Sequence, residues 1–210
     1  TPKNRVDFGG AFRLKQRLFE AAARNPLRGR MAEDYGRFCL REAHWLEDYA
    51  LFAVLKRRFG GRPWHLWPAE FRDRVSASMT GLRASAEREI GNEKFLQFIF
   101  FQQWDKLKQR SHKKGITLIG DIPIFVAYDS ADCWQDPELF TLDSQGLLLH
   151  GAGVPPDYFS KTGQRWGNPL YRWEVHQDTG FDWWMRRLTR TFELTDILRI
   201  DHFRAFDSYW

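Results

Sequence analysis

Residues 116–126 read Ile116-Thr117-Leu118-Ile119-Gly120-Asp121-Ile122-Pro123-Ile124-Phe125-Val126, and residues 197–201 read Ile197-Leu198-Arg199-Ile200-Asp201. The first stretch is apolar and rich in β-formers, as a strand buried on both faces would be. Pro123 has no N–H to give to a ladder, so a strand is expected over 116–122, its regular part ending near Asp121. The second stretch predicts a short strand over 197–201. Between them, residues 179–194 carry Phe181, Trp184, Met185, Leu188 and Phe192 as one stripe at helical spacing, after the caps Asp178 and Thr179. A helix over 92–114 precedes the first strand, with Asn92 as N-cap, Phe95, Phe98, Ile99 and Gln102 on adjacent turns, and Gly115 as the stop. Helix, strand, excursion, helix, strand is the rhythm of βα units in a parallel sheet.

Outward from this unit, the preceding sequence is mostly helical in pattern. Residues 41–59 place Leu46, Tyr49, Ala50, Ala53 and Val54 on one face, and Gly60-Gly61 stops the helix after basic residues in the final turn. Residues 63–68 hold two prolines and two tryptophans, a turn packed by aromatics. A further amphipathic segment is expected over 69–89. These patterns divide the chain into a mainly helical part, 1–90, and an α/β part, 91–210. The excursion over 127–177 shows no clear secondary structure, against connections of about 4–6 residues in ordinary βα units. Rich in Gly, Pro and aromatic residues, it is expected to be a functional lid or a small inserted subdomain.

The chain has 210 residues, enough for one to two domains and a full core. Its net charge is +5, but residues 1–115 hold 24 Lys and Arg against 13 Asp and Glu, and residues 116–210 hold 8 against 14. The basic half lacks the aromatic–basic repeat suited to single-stranded nucleic acid, and its cations fall on the outer faces of amphipathic helices, so no nucleic-acid partner is expected. The best candidate for a membrane helix, Phe95 to Phe101, is far shorter than the ~18 apolar residues required, and no membrane partner is expected. Cys39 and Cys133 are too few for a disulfide framework or a cysteine-based zinc site, and the histidines show no metal-ligand spacing. No Walker or dinucleotide fingerprint occurs. The polar opening from Thr1, with no start methionine or signal peptide, reads as the inside of a longer chain, and a reducing cytoplasm is the expected compartment.

Three constellations carry chemistry. Strand alternation puts Arg199 and Asp201 on one face and Ile200 on the other. A guanidinium beside a carboxylate favours its charged form, and an ionised carboxylate at the C-terminal end of a parallel strand is where catalytic groups sit in α/β folds. The alternative is a simple Arg–Asp pair steadying the strand end. Asp121 is the second carboxylate; if the two strands are parallel neighbours, Asp121 and Asp201 open onto one rim, and the alternative there is a turn aspartate capping the strand exit. The third constellation, Gly153 to Tyr171, interleaves Tyr158, Phe159, Trp166 and Tyr171 with Asp157, Gln164 and Asn168. Sugars present C–H faces that stack on rings and hydroxyls that need such polar partners. A self-packed Ω-loop is the alternative.

Taken together, Gly120-Asp-Ile-Pro-Ile-Phe-Val126, Gly153-Val-Pro-Pro-Asp-Tyr-Phe-Ser160, Gln164-Arg-Trp-Gly-Asn-Pro-Leu-Tyr171 and Arg199-Ile-Asp-His-Phe-Arg204 closely resemble the amylomaltases, or disproportionating 4-α-glucanotransferases, as does Arg41-Glu-Ala-His-Trp-Leu-Glu-Asp-Tyr-Ala-Leu-Phe52. The resemblance implies a (β/α)₈ TIM barrel with inserted subdomains, incomplete in this chain, acting on α-1,4-glucans without metal or cofactor. It implies Asp201 as the nucleophile of a covalent glycosyl-enzyme. Arg199 and His202 are then its neighbours in the donor-sugar subsite, and Asp121 is the aspartate before Pro-Ile-Phe. Asp157, Tyr158 and Phe159 fall in the mobile loop over the cleft, and Gln164, Trp166 and Asn168 at its base near the acceptor side. The family's general acid/base glutamate and a further aspartate lie downstream of the nucleophile. Since the sequence stops at Trp210, these 210 residues alone are expected to be inactive. An α-amylase-like hydrolase and a non-catalytic glucan-binding protein are the competing functions.

Overall fold

A computed structural model describes residues 4–25 and 27–207; the opening Thr1 and the closing Trp210 lie outside them. In chain order the elements are α1 (Phe8–Ala23), α2 (Arg30–Arg41), α3 (Ala43–Arg58), α4 (Ala69–Arg72), α5 (Ser76–Ser85), α6 (Glu87–His112), β1 (Ile119–Pro123), α7 (Ala131–Gln135), β2 (Gly151–Val154), β3 (Gln164–Pro169), α8 (Trp173–Asp178), α9 (Asp182–Leu194) and β4 (Ile197–Asp201). β1 and β4 pair in parallel, and β2 and β3 form a separate antiparallel pair within the excursion. The expected α/β rhythm is present, with the parallel pair preceded by α6 and α9.

Several boundaries differ from the sequence expectation, each for a local reason. The segment 69–89 is not one helix: Arg74 adopts φ +54° and ends α4, and Ala86 at φ −121° separates α5 from α6. The expected cap Asn92 therefore lies inside α6, which starts at Glu87. Asp178 and Thr179 close α8 instead of opening α9: the Thr179 hydroxyl donates back to the carbonyls of Val175 and His176, and Gly180 and Phe181 then turn left-handed. The stripe on α9 is rotated from the expected one. Trp183 and Trp184 are buried, with Arg187 and Arg190 half-buried beside them, whereas Phe181, Met185 and Phe192 are exposed. Interior acceptors draw these guanidinium groups inward: Arg190 reaches the buried Glu42, and Arg187 reaches the main-chain carbonyls of Pro123 and Ile124 at the end of β1.

The core lies beneath the loops and not around the sheet. α3 is its centre; Leu46, Ala50, Leu51, Phe52, Val54 and Leu55 are all buried, a broader surface than the single face its spacing suggests. The Pro-Trp turn closes against it, and both indole N–H groups are paired, Trp64 to the Tyr128 carbonyl at 2.8 Å and Trp67 to the Arg62 carbonyl at 2.9 Å. Trp134 of α7 packs on Phe52 and Trp67, tying the excursion to the helical part. The excursion itself is structured, by α7, the β2–β3 hairpin, α8 and isolated bridges at Phe140–Tyr171 and Leu142–Leu148.

β1 is not buried on both faces. Ile122 is buried, while Ile119, Asp121 and Pro123 on the other face are exposed, as are Ile197, Arg199 and Asp201 of β4. Pro123 ends the strand, where its missing N–H costs little. Thr195 packs so closely on Gly120 that a Cβ there would stand 2.5 Å from its methyl. The start of the sheet is pinned by Asp196. Its N–H donates to the Leu118 carbonyl at 2.9 Å, and its carboxylate accepts from the Leu118 N–H and from His112, each at 2.8 Å, with Lys108 3.3 Å away.

The Leu118 N–H, then His112, hold the Asp196 carboxyl down at about 2. A depressed carboxyl contributes stability that is whole above its unfolded value near 3.9 and disappears as pH falls through the folded value. Asp196→Asn in the intact protein should therefore flatten the acid limb of the melting temperature between about pH 4 and pH 2, as followed by circular dichroism. An unchanged limb would show that Asp196 does not hold the strands.

Candidate functional site

The parallel register sets Asp121 beside Arg199 and Pro123 beside Asp201. Because neighbours in register share a face, Asp121, Arg199 and Asp201 all project from the open side of the sheet. The Arg199 guanidinium grips Asp121 as a fork, Nε to Oδ1 at 3.0 Å and Nη2 to Oδ2 at 2.5 Å, and its Nη2 lies 3.9 Å from Asp201 Oδ1. The expected rim with two carboxylates is formed. The arginine's close partner, however, is Asp121 across the sheet, not Asp201 on its own strand, since the strand pair brings Asp121 nearer than the i+2 position. Hydrogen bonding by Arg199 holds the Asp121 carboxyl below the usual aspartate range, and the same pair raises the guanidinium.

His202 follows at φ +56°, a left-handed residue that turns the chain sharply out of β4. The turn brings its imidazole edge-on to Trp166 of β3, ring centroids 5.1 Å apart, and both rings pack on Phe125 at 6.3 and 6.4 Å. Trp166 is partly exposed, and its N–H donates to the Gln164 side-chain oxygen at 3.1 Å. Asn168 donates from its amide to the Val126 carbonyl at 2.7 Å, which ties β3 to the exit of β1. An aromatic wall of Phe125, Trp166 and His202 thus stands immediately after Asp201. Phe125 is the member the sequence reading missed, because in the run 116–126 it passes for another strand residue; the Pro-Ile preceding it was the usable signal.

The loop residues are placed differently. The Asp157 carboxylate accepts from its own loop, the N–H groups of Phe159 at 2.9 Å and Ser160 at 2.8 Å, and the Ser160 hydroxyl donates to the Gly163 carbonyl at 2.7 Å. Asp157 therefore shapes the turn. That turn presents Tyr158 and Phe159 outward, 99% and 89% exposed, their rings edge-on to each other at 6.0 Å. A shallow cleft of about 760 Å³ runs along β2 and β3, with His150, Thr162, Gln164 and Arg165 on its walls. Gln164 lines the cleft and also accepts from Trp166 of the aromatic wall, whereas the charged groups converge at the rim. Among the described residues no three His, Cys, Asp or Glu side chains gather as metal ligands, and no helix is long and apolar enough to cross a membrane.

Set beside known proteins, residues 1–210 match the model of the 4-alpha-glucanotransferase family. The chain is 47% identical to a 4-alpha-glucanotransferase of Thermus thermophilus, an alignment covering 100% of this chain and 42% of that protein. It is 42% identical to one from Aquifex aeolicus, covering 95% of the chain and 40% of the relative. It superposes on an amylomaltase from Streptococcus agalactiae, solved in complex with acarbose, with a TM-score of 0.91 and 39% identity over 98% of this chain and 42% of that one. An amylomaltase from Corynebacterium glutamicum, 16% identical, shares the fold at a TM-score of 0.75, with 95% of this chain and 26% of that one covered. The chain spans about two fifths of the length of the curated relatives it matches.

The Arg199 fork makes a direct prediction for Asp121. Since the pair keeps the carboxylate ionised to lower pH, Arg199→Met in the intact protein should move the Asp121 titration upward, toward the ordinary value near 3.9. Carboxyl-carbon NMR reads this; an unmoved midpoint would mean that the fork does not persist in solution.

Proposed function

Since the chain belongs to the 4-alpha-glucanotransferase family, we propose that the intact protein transfers α-1,4-glucan segments between malto-oligosaccharides by a retaining double displacement, with Asp201 as the nucleophile. The observation that carries this reading is the placement of Asp201 at the end of β4, beside the Arg199–Asp121 fork and immediately before the His202–Trp166–Phe125 wall. In the first step a carboxylate oxygen of Asp201 bonds to the anomeric carbon of the donor glucose as the glycosidic C–O bond breaks. A general acid protonates the departing oxygen. In the second step the hydroxyl of an acceptor sugar attacks the same carbon, the acid's conjugate base takes its proton, and the Asp201 carboxylate is released.

Each named residue has a chemical task in this scheme. Asp121, kept ionised by Arg199, accepts hydrogen bonds from donor-sugar hydroxyls, and the arginine face not used by Asp121 is turned toward Asp201. His202 and Trp166 pack on the sugar's C–H face, and Gln164 and Asn168 orient that wall at the acceptor side. Tyr158 and Phe159, held outward by the Asp157 turn, are apolar surface that excludes water while an acceptor binds, the condition under which transfer outruns hydrolysis. The acid is a carboxyl about 5–5.5 Å from the nucleophile in a retaining site. We place it, on the family resemblance, downstream of Asp201, within a (β/α)₈ barrel of which residues 91–210 are a portion and into which the helical residues 1–90 are set. Residues 1–210 alone are accordingly proposed to be inactive.

Incubating the intact protein with maltotriose tests the reaction class. Longer and shorter chains should appear while the number of reducing ends stays constant, and a steady rise in reducing ends would replace transfer by hydrolysis. Asp201→Asn should lower transfer roughly 10³-fold or more while malto-oligosaccharide binding persists. Undiminished turnover would remove Asp201 from the mechanism, and binding without any turnover in the unaltered protein would make this a binding module.

A further inference from the structure

Arg187, on α9, takes no part in the chemistry above, yet it holds the backbone on which that chemistry rests. Its Nη2 donates to the Pro123 carbonyl at 2.7 Å, and its Nη1 donates to the Ile124 carbonyl and the Tyr171 hydroxyl oxygen, both at 3.1 Å. The Tyr171 hydroxyl donates in turn to the same Ile124 carbonyl at 2.7 Å. The guanidinium lies over the rings of Trp183 and Trp184, 5.3 and 4.9 Å from their centroids. Among the described residues no carboxylate stands within ion-pair distance of it; its donors go to two successive main-chain carbonyls and a phenol, and its charge also acts on the more distant Asp132 carboxyl. Only a planar fork reaches all three at once, which a lysine ammonium does not.

What those carbonyls belong to decides their importance. Pro123 is the register partner of Asp201, Asp121 lies two residues before it, and Phe125 two residues after it supports Trp166 and His202. We infer that Arg187 is a positioning residue for the transfer reaction, fixing the exit of β1 so that the Asp121–Arg199 fork and the Phe125–Trp166–His202 wall stay aligned on Asp201. This rests on the function proposed above. Misalignment of these groups by a fraction of an ångström falls on the transition state more than on glucan binding, where many weaker contacts contribute.

The test compares Arg187→Met, Arg187→Lys and Tyr171→Phe with the unaltered intact protein, using maltotriose disproportionation and thermal melting. Well below the melting temperature, Arg187→Met should lose roughly tenfold or more in kcat with KM changed less than about threefold. Arg187→Lys, which keeps the charge but not the planar fork, and Tyr171→Phe, which leaves the arginine in place, should each lose about three- to fivefold in kcat. A purely structural arginine would lower the melting temperature and leave the kcat of folded protein within about twofold, and that result overturns the inference. So does a loss confined to KM. If Arg187→Met does not fold, unchanged kcat in both milder variants overturns it equally. Failure of the underlying function is told apart without any variant, because the unaltered protein would then not disproportionate maltotriose.

Discussion

The mutual pairing of Asp196 with Leu118 is the contact on which the rest of the site depends. It fixes where β4 starts against β1, so that Ile119 meets Ile197 and every later pair follows. A one-residue slip would turn each side chain of β4 to the other face. Arg199 and Asp201 would then point toward the helices, and Ile200 would stand on the open rim. The pin is ionic at one end and peptide at the other: a carboxylate receiving an amide N–H, His112 and Lys108 from the end of α6. Helix α6 thus sets the strand register as well as packing on α3. Gly120 serves the same end, because a larger residue would push Thr195, next to Asp196, away from the sheet.

Above that pin, the loops among the described residues pack onto the two parallel strands. Tyr171 shows how they are joined: its ring stacks on Phe125 and meets Trp173, Trp183, Trp184 and Phe140, while its hydroxyl bonds the Ile124 carbonyl. The fifty-residue excursion is therefore folded onto the exit of β1 by aromatic packing and anchored there by two side-chain-to-backbone bonds, one from Tyr171 and one from Asn168. His176 lies in the same cluster, wholly buried and held below the usual imidazole range by burial, so it adds an apolar-like ring and not a charge to this layer. Among the described residues the face of Asp121, Arg199 and Asp201 is charged and exposed, while the surface behind it is aromatic and buried.

Much of this was legible in the chain because it is written in local terms. The strand over 197–201 is found with the bounds the sequence suggests, the parallel pairing follows from the βα rhythm, and the shared rim of Asp121 and Asp201 follows from strand alternation once the pairing holds. What escaped depends on partners distant in sequence. The rotation of α9 is set by carbonyls of Pro123 and Ile124 and by Glu42, none of which leaves a mark on the periodicity of residues 182–194. The hairpin of β2 and β3 hides in glycines, since Gly153 approaches the Gln164 carbonyl so closely that a Cβ would stand 2.5 Å from it, and glycine-rich strands carry no alternation to read. Arg74 with φ +54° breaks a helical pattern without the glycine or proline that would announce it.

The charge asymmetry takes a different meaning once partners are assigned. Taken as a sum, the basic half of the chain suggests a field for an anionic ligand. In the fold, Arg58 and Arg57 of α3 pair with Glu89 and Glu93 of α6, while Arg74 and Asp129, both outside the helices, pair with Asp48 and Lys56 of α3. Salt screens what excess remains beyond a Debye length of about 8–10 Å, and the two α3–α6 pairs fix helix against helix. At the rim the arithmetic runs the other way: one guanidinium faces two carboxylates, which leaves that surface net negative. A neutral, hydroxyl-rich ligand that passes through a positively charged, oxocarbenium-like transition state is stabilised by such a surface, whereas an anionic one is repelled. The local sign of the rim, and not the global sign of the chain, is the charge that bears on its chemistry.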